Sequence, residues 1–143
     1  MMLRTHLAFS FFISLFLIKH FNNLFILIFI LATTLPDIDN RHSKLGRYNP
    51  FSFLTKHRGV THTLLFALIL AAILAFVTKT FIYSYALFFG YSLHIILDSF
   101  TKHGTKPFYP FSNFKIRGPM TTNSLTENFL AIILFSLFMI KIL

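Results

Sequence analysis

The sequence predicts an all-α, polytopic membrane protein with about four or five transmembrane or membrane-embedded helices, and three observations carry that prediction. Hydrophobic residues make up 55% of the 143 positions and Asp, Glu, Lys and Arg only 12%, about half the roughly 25% charged share of ordinary domains. Phe alone fills 21 positions, and mean hydropathy is +0.70. A water-soluble domain this small needs far more polar surface to cover its core. Third, the apolar residues gather into five segments separated by short polar breaks. The composition excludes a disordered chain, a collagen-like repeat and an ordinary soluble enzyme. With no cysteine there is no disulfide framework, thiolate metal site or cysteine nucleophile.

Taken in order, the predicted helices cover about 3–18, 24–35, 61–78, 81–101 and 124–142, with polar loops at 36–60 and 102–123, in one membrane-embedded domain. A bilayer-spanning helix needs about 20 residues, with roughly 17 as the lower limit. The last three segments reach that length with their flanks. The first two have shorter cores joined by Lys19-His20-Phe21-Asn22-Asn23, and read as a helical hairpin that tilts, thins the bilayer or inserts part-way. Pro36 should stop the second helix, because proline lacks the N–H and clashes with the preceding turn. Thr61 or Thr63 is placed to cap the third. Ser124 with Glu127 fits a capping box at the start of the fifth, which gives Glu127 a structural task.

On this five-span serpentine, one side holds Arg4, Arg41, Lys44, Arg47, Lys56, Arg58, Lys102, Lys106, Lys115 and Arg117, and the other holds Lys19, Lys79 and Lys141. The positive-inside rule puts the crowded side in the cytoplasm, so the expectation is a multi-pass protein of the cell's inner (plasma) membrane.

The same threading sorts the chemistry. His6 opens the first helix, Asp37 and Asp39 follow the second, His57 and His62 precede the third, and His94 and Asp98 close the fourth. All fall at the cytoplasmic end. Three of the protein's four acids (Asp37, Asp39 and Asp98, but not Glu127) therefore gather with most of its histidines. Ionisable groups at membrane depth are costly to bury unpaired and are functional candidates by default. His94 and Asp98 are four apart, so both project from one helix face and can hold one metal, or two adjacent ones, from a rigid rod. Pro36-Asp37-Ile38-Asp39-Asn40 is a tight acidic turn. His57-Arg58-Gly59-Val60-Thr61-His62 sets two imidazoles beside a guanidinium. Taken singly, each has a plain alternative: a satisfied buried His–Asp pair, solvated aspartates, a basic loop against lipid headgroups. Imidazole with carboxylate favours a first-row divalent ion, zinc first, with manganese or iron as alternatives. Such an ion acidifies a bound water and polarises a phosphoryl or carbonyl oxygen, and the basic loops would attract an anionic substrate.

Thr5-His6, Leu35-Pro36-Asp37-Ile38-Asp39, His57-Arg58-Gly59-Val60-Thr61-His62-Thr63, Gly90-Tyr91-Ser92-Leu93-His94-Ile95-Ile96-Leu97-Asp98 and Thr101-x-x-Gly104 leading to Tyr109-Pro110-Phe111 together resemble the YdjM-like inner-membrane proteins, described as membrane-bound metal-dependent hydrolases. The resemblance runs from about residue 5 to 116. That family is held to be distantly similar to zinc-dependent phospholipase C and nuclease P1, helical proteins that use His and Asp ligands on clustered zinc. The resemblance implies that Asp37 (or Asp39), His62, His94 and Asp98 form the principal metal site, with His6 on a neighbouring metal and Asp98 a bridge. That group's later His-x-x-x-Glu pair is absent, because Asn123 stands four residues before Glu127; one or two ions are expected rather than three.

The resulting expectation is a metal-dependent hydrolase acting on a phosphoester, a lipid one being the natural choice at headgroup depth. His6, Asp37, His57, His62, His94 and Asp98 are the metal candidates, Asp39 a general base or water-orienting group, and Arg58 a stabiliser of developing negative charge. The expected partners are the lipid bilayer and an anionic small-molecule or lipid substrate, with no specific nucleic acid and with self-association left open. Two rivals stand beside it. A transporter or metal-translocating protein needs polar groups spread through the bilayer, and the third helix carries none between Leu64 and Val77. A non-catalytic module binding anionic lipid or nucleic acid would rely on the basic loops alone.

Overall fold

A computed structural model describes residues 1–39 and 59–143, with the backbone alone at Ile38 and Asp39. His57, Arg58 and the Asp39 side chain, named above as a metal ligand, a charge stabiliser and a base, lie outside the described residues. The described residues form five α-helices, α1 (Leu3–Leu17), α2 (Asn23–Ala32), α3 (Leu64–Thr78), α4 (Ile82–Ser99) and α5 (Leu125–Ile142), with 3-10 turns at Leu35–Asp39 and Val60–His62. Among the described residues there is no strand, only isolated bridges between Thr101 and Met120 and between Thr105 and Ile116. Among the described residues, α5 is the one helix long and apolar enough by itself to cross a membrane; α1, α2 and α3 are apolar but shorter. At 18 residues α4 has the length, but it carries Ser84, Ser92, His94 and Asp98 inward, which lowers its apolarity.

The helix ends follow from local chemistry. Asn22 caps α2 by accepting from the Phe25 N–H at 2.9 Å, Thr63 caps α3 through the Phe66 N–H at 3.2 Å, and Ser124 caps α5 through the Glu127 N–H at 3.2 Å. The second helix stops at Ala32, earlier than the position of Pro36 alone suggests. The Pro36 ring would clash with the Ala32 carbonyl one turn back, and the chain instead tightens into the 3-10 turn, with the Asp37 N–H on the Thr34 carbonyl at 3.2 Å. That turn aims Asp37 back toward the bundle.

Packing relies on small residues where helices approach. The Asn22–Tyr83, Phe29–Gly90 and Thr33–His94 contacts between α2 and α4 share one sequence offset, so these two helices run parallel. A Cβ on Gly90 would lie 2.3 Å from the Phe29 carbonyl oxygen, so glycine is required for this approach. In the same way Arg4–Asn128 and Phe11–Phe135 make α1 and α5 parallel. Ala8 with Ala131, Ala86 with Phe25 and Phe29, and Ala67 with Tyr91 and Ile95 form the three apolar centres. The outer faces expose large apolar side chains such as Phe76, Phe89, Phe129 and Ile140, more than an aqueous monomer ordinarily shows. With α1 and α5 starting where α2 and α4 finish, the start of α1, the turn after α2, the entry to α3 and the end of α4 meet at one end of the bundle.

Candidate metal centre

Five ionisable side chains converge at that end. His6, His62 and His94 are each 0% exposed, Asp98 1% and Asp37 8%. One helical turn of α4 presents His94 and Asp98 together, with His94 Nε2 3.8 Å from Asp98 Oδ2. The turn before α3 brings His62 Nε2 to 3.8 Å from the same oxygen. The first turns of α1 bring His6 Nε2 to 3.5 Å from Asp98 Oδ1, and the turn after α2 places Asp37 Oδ1 3.9 Å from His94 Nε2. These gaps exceed the roughly 2.7–3.2 Å of a good N–H···O bond. They are near the roughly 3.3 Å that separates two ligands on one tetrahedral zinc with N and O bonds of about 2.0–2.1 Å. Two sets of donor atoms, on His6, His94 and Asp98 and on Asp37, His62 and His94, each lie within 4.8 Å of one another.

The surroundings suit a cation. His94 Nδ1 meets the Thr33 carbonyl at 2.8 Å; a carbonyl only accepts, so Nδ1 carries the proton and the Nε2 lone pair faces Asp37 and Asp98. This is the outer hydrogen bond that orients a ligating imidazole. His6 stacks on His94 with ring centroids 3.8 Å apart, and His62 stands edge-on to it at 5.3 Å. Both ring nitrogens of His6 and Nε2 of His94 are buried without a hydrogen-bond partner among the described residues. Each such group costs about 1–3 kcal/mol if left so. The Met1 amino group, itself a cation, donates to Asp98 Oδ1. Burial pushes the Asp37 carboxyl above its ordinary pKa, partly countered by His6 and His62 nearby, while Asp98 pushes the same way as burial. The buried His/Asp cluster could hold a metal ion: the donors are of the right kind, and the His6 ring and His94 Nε2 have no hydrogen-bond partner among the described residues.

Residues quoted above without a role turn out to hold the site. Tyr91 Oη donates to the Thr61 carbonyl at 2.6 Å and so fixes the turn that carries His62. Thr101 Oγ1 donates to the Asp98 carbonyl at 2.7 Å and accepts from the Gly104 N–H at 3.3 Å, anchoring the end of α4. The Leu64 N–H meets the Pro107 carbonyl at 2.9 Å, tying the 101–124 segment over α3. Ser124 and Glu127 make half of the expected capping box: the Ser124 hydroxyl accepts from the Glu127 N–H, while the Ser124 N–H goes to the Thr121 carbonyl and leaves the Glu127 carboxylate to other donors. Glu127 is 0% exposed and accepts from the Asn123 N–H at 2.6 Å, the Met2 N–H at 2.6 Å and the Thr5 hydroxyl at 2.8 Å. It therefore clamps the first turn of α1, next to His6, onto α5. Its capping-box spacing gave the local contact; the reach to α1 carried no sequence signal. His20 and His103 are exposed.

The chain is 38% identical over 104 residues to a Bacillus subtilis (strain 168) protein named "Uncharacterized protein YvsG", a match that takes in 65% of this chain and 62% of that one. The alignment thus spans under two thirds of that relative's length. No solved structure matches. The model of the YdjM inner membrane protein family matches residues 1–142, and the chain belongs to that family of membrane proteins.

Proposed function

We propose that this protein is a multi-pass inner-membrane hydrolase whose metal centre faces the cytoplasm and which acts on a phosphoester. The observation that supports it most directly is the convergence of three imidazoles and two carboxylates on one buried point, with His94 held by Thr33 so that its free nitrogen faces inward. His6, Asp37, His62, His94 and Asp98 would hold the ion, zinc first by donor type, with manganese or iron next. Asp98 turns Oδ1 toward His6 and Oδ2 toward His62 and His94, a disposition equally suited to one ion or to two sharing that carboxylate. When bound, such an ion supplies Lewis-acid polarisation of a phosphoryl oxygen and acidifies water at the site. The chain's own residues then divide the remaining work. The buried imidazoles would exclude bulk water; by sequence position alone, Asp39 would orient the attacking water, Arg58 would balance charge developing on the phosphoryl group, and His57 would be a further metal ligand. The ten-to-three split of Lys and Arg between the two ends supports the cytoplasmic orientation.

The test uses full-length protein purified in neutral detergent. Elemental analysis should find one or two equivalents of zinc or manganese, and hydrolysis of bis(p-nitrophenyl) phosphate should be lost with a chelator and restored by metal. Asp98→Ala and His94→Ala should each abolish both metal content and hydrolysis. Wild-type metal content in both variants would overturn the reading.

A further inference from the structure

Helix α1 presents two unlike faces. His6 points into the cluster described above. Arg4, Leu7 and Phe11 follow the i, i+3, i+7 spacing of a single stripe, and His6 lies about 200° round the helix from Arg4 at about 100° per residue. The stripe faces α5, and between the two parallel helices runs a cavity of about 390 Å³, within the roughly 300–1,000 Å³ of ordinary ligand sites. Its walls are apolar, with Phe11, Ile132 and Phe135 among them, and Ser136 closes the far end. It is open on one side, where Ile132 is 62% and Phe135 47% exposed. The Arg4 level and the Phe11 level are about 10 Å apart along the axis, at 1.5 Å per residue.

The charge at the mouth selects the occupant. Arg4 is fixed by two neutral acceptors: its Nη2 donates to Asn123 Oδ1 at 2.7 Å and to Asn128 Oδ1 at 2.5 Å. No carboxylate pairs with it among the described residues. The guanidinium is thus held in place with its charge uncompensated and its Nε and Nη1 donors directed elsewhere than the asparagines. With both Nη2 hydrogens on the asparagines, Nε–H and Nη1–H remain on separate edges of the guanidinium, and each offers a single charge-assisted hydrogen bond to a phosphate oxygen. A single fixed cation at the end of an apolar trough fits an amphiphile with an anionic head and a hydrocarbon tail, and a basic pocket between helices near the cytoplasmic side is where anionic lipid heads are taken up.

We propose that the α1–α5 groove is a binding site for one anionic phospholipid, with its phosphate on Arg4 and an acyl chain along Leu7, Phe11, Ile132 and Phe135. The site shares no residue with the His/Asp cluster; it takes the cytoplasmic orientation from the proposed function but needs neither metal nor hydrolysis, so it can hold where the hydrolase reading fails. A lipid seated there also buttresses the α1–α5 contact that Glu127 clamps from the other side.

The experiment is native mass spectrometry of the full chain released from neutral detergent, titrated with dioleoyl phosphatidylglycerol or dioleoyl phosphatidylcholine. Wild type should retain one phosphatidylglycerol saturably, with at least a tenfold preference over phosphatidylcholine. Arg4→Gln should remove that preference, and Arg4→Lys should keep part of it. Ser136→Trp, which fills the exposed far end of the groove and leaves Arg4 intact, should abolish retention of both lipids. Metal content should be unchanged in all three variants. Equal retention of the two lipids by wild type, undiminished preference in Arg4→Gln, or a dimer that dissociates on Ser136→Trp in place of lipid loss would each overturn the proposal.

Discussion

Two carboxylates lie buried at the same end of this bundle and are treated in opposite ways. Glu127, at the start of α5, is 0% exposed and takes three donors at 2.6–2.8 Å, from Met2, Thr5 and Asn123. Asp98, at the end of α4, is 1% exposed and has His6, His62 and His94 around it at 3.5–3.8 Å. The first arrangement is a closed set of short hydrogen bonds, each partner an N–H or O–H with a fixed proton. The second sets three imidazoles round the carboxylate beyond good hydrogen-bond distance and spaced to share a cation, and one cation, the Met1 amino group, already donates to Oδ1. Equal burial and equal charge thus mark a structural clamp in one place and a candidate ligand in the other, and the partners' chemistry makes the difference.

The sharpest way to break that contrast is to remove each centre and read stability without metal. In Glu127→Gln the shape is kept but one oxygen becomes an NH₂ that meets a donor. A hydrogen bond to a charged group is worth about 1.5–3 kcal/mol, so this variant should show the largest fall in thermal stability of chelator-treated protein. His6→Leu removes an imidazole with no hydrogen-bond partner among the described residues. It should leave that stability unchanged or raise it, while lowering metal content. If His6→Leu destabilises the metal-free protein as much as Glu127→Gln does, the two centres are the same kind of thing and the contrast fails.

Next in size is Gly90→Ala. Its new methyl would sit 2.3 Å from the Phe29 carbonyl oxygen and 2.9 Å from Ala32 Cβ. Backbone cannot yield as a side chain does, so α2 and α4 must separate, at about 1–3 kcal/mol for such overpacking. The same shift lengthens the Thr33–His94 bond, so metal affinity should fall along with stability. A stability loss with unchanged affinity would mean that His94 does not depend on Thr33 for its orientation.

Much of this was legible in the sequence, for reasons that also mark where legibility stopped. Five apolar segments with capping candidates at Thr61 or Thr63 and at Ser124 specify helices because caps and periodicity are local; the Asn22 cap of α2 was present in the sequence and went unread. Convergence of His6, Asp37, His62, His94 and Asp98 was readable because a serpentine sorts residues by end, which needs only span count and order. The exact stop of α2 was not, since Pro36 acts on the carbonyl one turn earlier and a 3-10 turn intervenes. Nor were the long-range partners. Glu127 reaches Met2 and Thr5 across 125 and 122 residues, and Thr33 serves His94 through a backbone carbonyl that any residue would carry. Arg4 looked like one of ten orienting charges until its asparagine cradle and the groove below it were in view.

The smallest expected effect is the most discriminating about His62. Tyr91→Phe deletes only the hydroxyl that donates to the Thr61 carbonyl at 2.6 Å. One neutral hydrogen bond is worth about 0.5–1.5 kcal/mol, so stability should drop by about that much. His62 is the next residue, and its ring is 0% exposed against Asp98 and His94. Loosening its turn should therefore weaken metal binding by roughly the 10-fold lower end seen for outer-shell changes, as measured by competition with a chelating dye. His62→Ala on top of Tyr91→Phe should then add less than it does alone, because the two changes remove one contribution. Independent, additive losses would confine Tyr91 to its packing between α3 and α4, against Ala67 and Phe66, and would leave His62 positioned by Thr61 and Thr63 without its help.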